Sequence, residues 1–293
     1  MSHLARPITK DEVAAYRHAG VVLLRGIRSL SAVNALRRSQ TGLQAISAGQ
    51  HNISAIMDYV KISGKPLLLD KTENAKGSFL LDTGIAARLR EFRQFSLNGA
   101  APEIAAALLD SDKINFFGDQ IFVKEPGTRE RTAFHQDATY FEIEGEKCCV
   151  LWIPVDPVTL ESGTILYVRG SHRDGKLYQL NVFIAQTPLP GAKGQLLPDI
   201  EGHMEDYDII HFDMEPGDII VHHYRTIHGA GGNHSRYQVR RAASLRYCGD
   251  DIRFQTRPWA PRQLHHTTRL NDGDPLSGPD FPVVWSRNAQ KAT

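Results

Sequence analysis

The sequence predicts a mainly β protein, a double-sheet barrel or jelly roll with a helical N-terminal layer. Three observations carry that expectation. From Ile114 onward the chain passes through short β-rich runs, INFF, QIFVK, CCVLWIPV, GTILYV, DIIVHH and VRRAASLRY, separated by Gly, Pro and Asp turns. Before Ile114 the signals are mainly helical. Neither an internal repeat nor a stretch rich in Pro, Gly and Ser divides the chain. Residues 1–293 therefore read as one domain, with 1–113 as mainly helical support, 114–250 as the jelly-roll core and 251–293 as a C-terminal extension.

In chain order, TKDEVAAYRH opens with Thr9 followed three residues later by Glu12, a capping box, and Gly20 supplies the stop, so a helix is expected. VVLLRG then reads as a strand. A second helix is expected from near Ser31, and further helical stretches at Ala86 to Phe95 and Pro102 to Leu109, the last with Pro at its start. Between two strand candidates, Ser171 to Tyr207 shows no clear periodicity. A connector of that length reads as a lid or binding loop.

With 41% hydrophobic and 23% charged residues the composition is that of a globular protein, far from the disordered range. The 34 basic and 33 acidic residues are mixed along the chain, so no uniform field draws in nucleic acid or an anionic membrane. Met1 to Lys10 lacks an apolar signal core, and no run reaches the ~18 apolar residues of a membrane span, which makes a cytoplasmic protein the expectation. Of the three cysteines, Cys148, Cys149 and Cys248, the first two lie together in a buried-strand pattern and read as core thiols, and the odd count speaks against a secreted disulfide framework. The expected partner is a small molecule, with the chain a monomer or homodimer.

The chemistry concentrates at two places. In TAFHQDATYF, His135 and Asp137 stand two positions apart, so on an extended chain they project to one side with Cα atoms roughly 6.6 Å apart. An imidazole and a carboxylate at that spacing suit a first-row divalent ion. In EPGDIIVHHYRTIHGAGGNHS a Pro-Gly-Asp turn launches a strand, and His228 arrives before a Gly-rich bend, completing two histidines and one carboxylate on one face of an ion. Three protein ligands leave three adjacent octahedral positions, enough for a bidentate 2-oxo acid and O2. His222 and His223 compete with His228 but sit mid-strand, where packing or surface exposure is expected. His203, His211, His265 and His266 lack partner spacing.

A dicarboxylic 2-oxo acid needs a cation at its far end, for which the planar guanidinium fork is well suited. QVRRAASLRY offers Arg240 and Arg241 on opposite faces of one strand, and alternation alone does not choose between them.

Taken in order, FHQDATYF, LWIPVDPVTLESGTILYVRGSH, EPGDIIVHH, IHGAGGNHS and RRAASLRY resemble the phytanoyl-CoA dioxygenase family of Fe(II)/2-oxoglutarate oxygenases, over most of Phe116 to Tyr247. The resemblance implies a double-stranded β-helix fold, Fe(II) and 2-oxoglutarate with O2, and a hydroxylase (dioxygenase) reaction that releases succinate and CO2. It implies iron at His135, Asp137 and His228, the 2-oxoglutarate C5 carboxylate at Arg240, and Trp152 and Gln120 beside the cosubstrate. Arg240 stands one residue farther from the distal histidine than the family has it, so Arg241 stays open beside it. Asp137 occupies the position where related halogenases carry a small residue, which disfavours halogenation. Tyr140 and Phe141 are the expected substrate-pocket residues. Two other classes stay open: a cupin-type metalloenzyme that does not use 2-oxoglutarate, and a non-catalytic metal- and ligand-binding barrel.

Overall fold

In the computed structural model, which describes residues 4–29, 33, 34, 36, 77–261 and 266–291, antiparallel sheets dominate. The largest runs β1 (Val21–Leu24), β9 (Ile219–His223), β6 (Cys148–Pro154), β11 (Arg240–Cys248), β3 (Lys113–Lys124), β13 (Val283–Ser286), with β2 (Phe79–Thr83) also on β3. A second sheet orders β4 (Thr132–His135), β10 (His228–Ala230), β7 (Ile165–Val168) and β8 (Ile209–Ile210). β5 (Ile143–Glu144) and β12 (Arg253–Phe254) form a short separate pair.

The period of two along each strand divides the large sheet into two chemically different faces. On β11, Ala243, Leu245 and Tyr247 join a buried apolar cluster with Leu151, Val221 and the helical residue Ile104. On the opposite face of the same strand, Arg240, Ser244 and Arg246 line a cavity. INFF and QIFVK, expected as two runs, form one twelve-residue strand, because β11 pairs with β3 from Asn115 to Lys124. β2 was not legible in the sequence; its five residues are held as a strand by pairing with Gln120 to Lys124.

The first helix, Lys10–Ala19, has the reciprocal Thr9–Glu12 cap, and Gly20 closes it at φ 75°, the left-handed conformation glycine adopts without steric cost. The helix expected over 86–95 is instead two, Ile85–Arg88 and Arg90–Asn98, broken at Leu89 in an extended conformation. Asp119 on β3 fixes the first of these by accepting from the Ile85 and Ala86 amides at 2.6 and 2.9 Å. The Tyr247 hydroxyl donates to Ser96 O at 2.7 Å, which ties the second to β11. Pro102 opens the helix Ala101–Leu109 as expected. The helix expected from Ser31 lies outside the described residues apart from Val33, Asn34 and Leu36. All three cysteines are buried and free. No helix among the described residues is long and apolar enough to cross a membrane.

Asp218, in the turn before β9, joins that strand to β1. Its carboxylate accepts from Gly26 N and Arg25 Nη1 at 2.8 Å each and from Glu215 N at 3.0 Å. Asp218→Ala leaves these donors without their acceptor and is expected to cost about 2–3 kcal/mol, read as a lowered urea midpoint, with Asp218→Asn retaining part of the stability.

Candidate metal centre

β4 and β10 are antiparallel neighbours, and in their register His135 faces His228. Each imidazole is oriented from behind by a carbonyl two residues earlier: His135 Nδ1 lies 2.8 Å from Ala133 O, and His228 Nδ1 lies 2.9 Å from Thr226 O. A carbonyl only accepts, so both Nδ1 atoms carry the proton and both Nε2 lone pairs are free. β4 ends at His135, Gln136 stays extended, and Asp137 opens a short 3-10 turn that brings its Oδ1 to 3.6 Å from His135 Nε2. One donor atom from each of His135, Asp137 and His228 lies within 4.8 Å of the others. Two neutral nitrogens and one carboxylate oxygen fit a first-row divalent ion with positions left open.

His222 enters the same cluster from the large sheet. Its Nε2 lies 3.2 Å from Asp137 Oδ2, while its Nδ1 lies 3.1 Å from the Tyr167 hydroxyl. The carboxylate fixes Nε2 as the donor, so Nδ1 accepts from Tyr167, and Asp137 keeps Oδ1 for the shared centre. The expectation that His222 is a packing or surface residue is therefore corrected. Between β9 and β10 the chain crosses from one sheet to the other, so His222 and His228 look into one space from opposite sides. Burial by itself pushes the Asp137 carboxyl up, but the facing imidazoles of His135, His222 and His228 hold it well below the usual carboxylate range. Burial, the largest influence, keeps His228 well below the ordinary histidine value, in the neutral form a metal requires.

Three of the other expected residues border a cavity beside the metal ligands. Arg240, Trp152 and Gln120 line it. The Arg240 guanidinium is 2% exposed, donates from Nη2 to Gly163 O at 3.2 Å and has no partner at Nε, and burial lowers its pKa to about 10. Arg241 points the other way, where Asp156 takes its fork in two bonds of 2.8 and 2.7 Å. Of the two arginines, Arg240 is the one available to an anion in the cavity.

Tyr140 and Phe141 do not line the cavity. The 3-10 turn after Asp137 ends strand alternation, so Tyr140 donates to Asn181 Oδ1 at 2.8 Å and Phe141 packs 5.2 Å from Phe117. The Tyr140 ring still lies edge-on to His135, with centroids 5.4 Å apart, and a second aromatic residue against that ligand comes from the long 171–207 segment. Phe183 lines the cavity with its ring centroid 5.3 Å from that of His135. Its φ of 64° is unusual for a bulky residue and is held by Ala133 N donating to Phe183 O and Phe183 N donating to Asn181 Oδ1. No sequence signal short of the segment's length marks it.

His223 is structural. Its Nε2 lies 2.7 Å from Glu146 O, and burial, the largest influence, lowers its pKa to about 3. His203, His211 and His266 lie outside the metal cluster, and His265 lies outside the described residues.

A family model described as phytanoyl-CoA dioxygenase (PhyH) matches residues 16–242 of the chain. The chain is 30% identical over 127 residues to a probable phytanoyl-CoA dioxygenase of Caenorhabditis elegans, a stretch covering 42% of this chain and 38% of that protein. It spans less than half the length of the first curated relatives it matches. Among solved structures it is similar to the non-heme alpha ketoglutarate dependent carbocyclase SnoK from nogalamycin biosynthesis, with TM-score 0.69, 23% identity, and coverage of 97% of this chain and 100% of that one. It is also similar to the epimerase SnoN in complex with Fe3+, alpha ketoglutarate and nogalamycin RO, with TM-score 0.67, 18% identity, and coverage of 94% and 98%. At these identities the likeness establishes a shared fold.

Two outcomes follow from the geometry. His222→Phe removes the donor on Asp137 Oδ2 and is expected to weaken Co(II) binding about 10–100-fold, followed by Co(II) absorption, while His222→Gln, which retains an N–H, recovers part of the affinity. For His223, the folded pKa near 3 lies below the ordinary 6.5, so between those values the unfolded chain binds more protons. Its contribution to stability is complete above pH 6.5 and falls on acidification by about 1.4 kcal/mol per pH unit. Urea midpoints between pH 7 and 4 should show that slope, reduced in His223→Gln.

Proposed function

The chain belongs to the phytanoyl-CoA dioxygenase family, and on that premise we propose that it is an Fe(II)- and 2-oxoglutarate-dependent dioxygenase that hydroxylates a C–H bond of a small organic molecule, releasing succinate and CO2. The observation that carries the reading is the convergence of two free Nε2 atoms and one carboxylate within 4.8 Å, in a cavity that also contains a buried guanidinium. That combination matches the needs of a chelating 2-oxo diacid, which a plain metal-storage barrel does not share. A solved structure of the same fold holds Fe3+ and alpha ketoglutarate, which supports the same pair of cofactors here.

In this reading His135 and His228 hold the iron through Nε2, and Asp137 Oδ1 completes the face and offsets one positive charge. The iron with 2-oxoglutarate supplies the oxidising power for C–H cleavage. Arg240 binds the C5 carboxylate through its fork, with Trp152 beneath the guanidinium, 5.4 Å from its carbon, and Gln120 farther along the wall. Phe183 shields the metal side from water, which strengthens each charged contact in the cavity. The two larger sheets form a double-stranded β-helix, the N-terminal helices layer against its outside, and 1–293 functions as a single domain. The substrate is a small molecule, and the setting is cytoplasmic.

Incubation with 2-oxoglutarate and O2 is expected to yield succinate only with Fe(II) present, including slow uncoupled turnover without substrate. His135→Ala should abolish it. Arg240→Gln should raise the 2-oxoglutarate Kd about 10–100-fold, equivalent to ~1.4–3 kcal/mol for a charge-assisted pair. Binding of Fe(II) and 2-oxoglutarate without succinate formation would instead identify a non-catalytic barrel.

A further inference from the structure

We propose that the substrate carries an anionic oxygen group, a carboxylate or phosphonate, and that Arg246 binds it inside the cavity; this deepens the oxygenase reading and rests on it. Arg246 shares the inward face of β11 with Arg240 and Ser244, six residues beyond Arg240. It is 7% exposed, yet Nη2 donates to the neutral Gln120 Oε1 at 2.5 Å and Nε has no partner. The guanidinium carbon sits over the Phe141 ring, 4.8 Å from its centroid, so this ring backs Arg246 from behind the cavity wall.

Among the described residues no carboxylate is paired with Arg246. The two acids whose charge reaches it are Asp137 and Asp119. Asp137 gives one oxygen to the metal cluster and the other to His222. Asp119 accepts from the amides of Ile85 and Ala86 on the far side of β3. A guanidinium remains charged at any physiological pH, and burying it without a counter-charge is costly.

The cofactors do not supply that counter-charge. The far carboxylate of 2-oxoglutarate is taken by Arg240 and the near one by the ion. With the two charges of the ion and those of Asp137, Arg240 and the diacid counted, Arg246 is left with one unbalanced positive charge. The backbone is shaped for this side chain as well. Gly118 is its register partner on β3, and a β-bulge falls between Arg246 and Tyr247. A bulge beside a cavity re-aims side chains, and a glycine opposite leaves room for a long one. Phe79, Phe122 and Phe183, packed within 6.4 Å of one another, give the rest of the wall an apolar character. The ligand that fits both features is a small organic acid with an apolar skeleton, its acid group on Arg246 and its carbon frame across the ligand face.

The test uses the whole chain loaded with Mn(II) and saturating 2-oxoglutarate in the absence of O2. Calorimetry then compares acids with neutral isosteres: benzoate with benzamide, cyclohexanecarboxylate with its carboxamide, and phenylphosphonate with its dimethyl ester. The expected result is that at least one acid binds tenfold or more tighter than its neutral counterpart. Arg246→Gln erases the difference, Arg246→Lys keeps part of it, and the Kd values for Mn(II) and 2-oxoglutarate move less than twofold in both variants. Equal binding of acids and isosteres, or no binding of either, overturns the inference alone. A tenfold rise in the 2-oxoglutarate Kd of Arg246→Gln also overturns it, by assigning Arg246 to the cosubstrate. Failure of the unaltered chain to bind 2-oxoglutarate with Mn(II) overturns the oxygenase reading and this inference together.

Discussion

The pairing of β4 with β10, which sets His135 opposite His228, is the contact on which the rest of the site depends. Side chains on directly opposed residues of an antiparallel pair stand about 5 Å apart, close enough for two imidazoles to share an ion. A slip of one residue would turn one imidazole to the other face and dissolve the site. The register is held on both sides of β10, because β7 pairs with it from Ile165 to Tyr167. Asp137 then needs only the short turn after β4 to reach the same point.

The second constraint is electrostatic. The cavity buries Asp137, Arg240 and Arg246 together with three imidazoles, and each must be oriented by something that does not occupy the centre. Backbone carbonyls do this for His135 and His228, and the Tyr167 hydroxyl, through His222, does it for Asp137. Polar groups fixed in this manner need little rearrangement when a ligand arrives, which is how a protein interior binds charge without large reorganisation. Arg241, by contrast, points away from the cavity and is neutralised by Asp156. Phe183 completes the enclosure at the expense of a positive φ, a strain tolerated because its amide and carbonyl are both bonded.

The residue pattern made much of this legible. His135 and Asp137 could be read from their spacing, His228 from its place after the strand launched at Asp218, and the run QVRRAASLRY offered two arginines for the anchor, between which alternation did not choose. Strand and helix positions followed from local chemistry where a cap, a proline or a run of β-branched residues was present. Where local signal was weak the reading missed: β2 exists because β3 offers an edge, and the helical stretch at 85–98 breaks at Leu89 where its first turn is held by Asp119.

The sequence by itself determined which residue types are available, the periods that sort them onto faces, and the turns that separate the strands, because these are local properties of the chain. Only the tertiary structure decided that Arg240 rather than Arg241 faces inward, that His222 supports Asp137, that Phe183 joins Tyr140 beside His135 and lines the cavity, and that Arg246 is buried without a counter-charge. Each of those outcomes depends on which elements meet across the two sheets, over separations such as the 85 residues between Asp137 and His222. No local pattern encodes a meeting of that kind, since it arises from packing the whole chain.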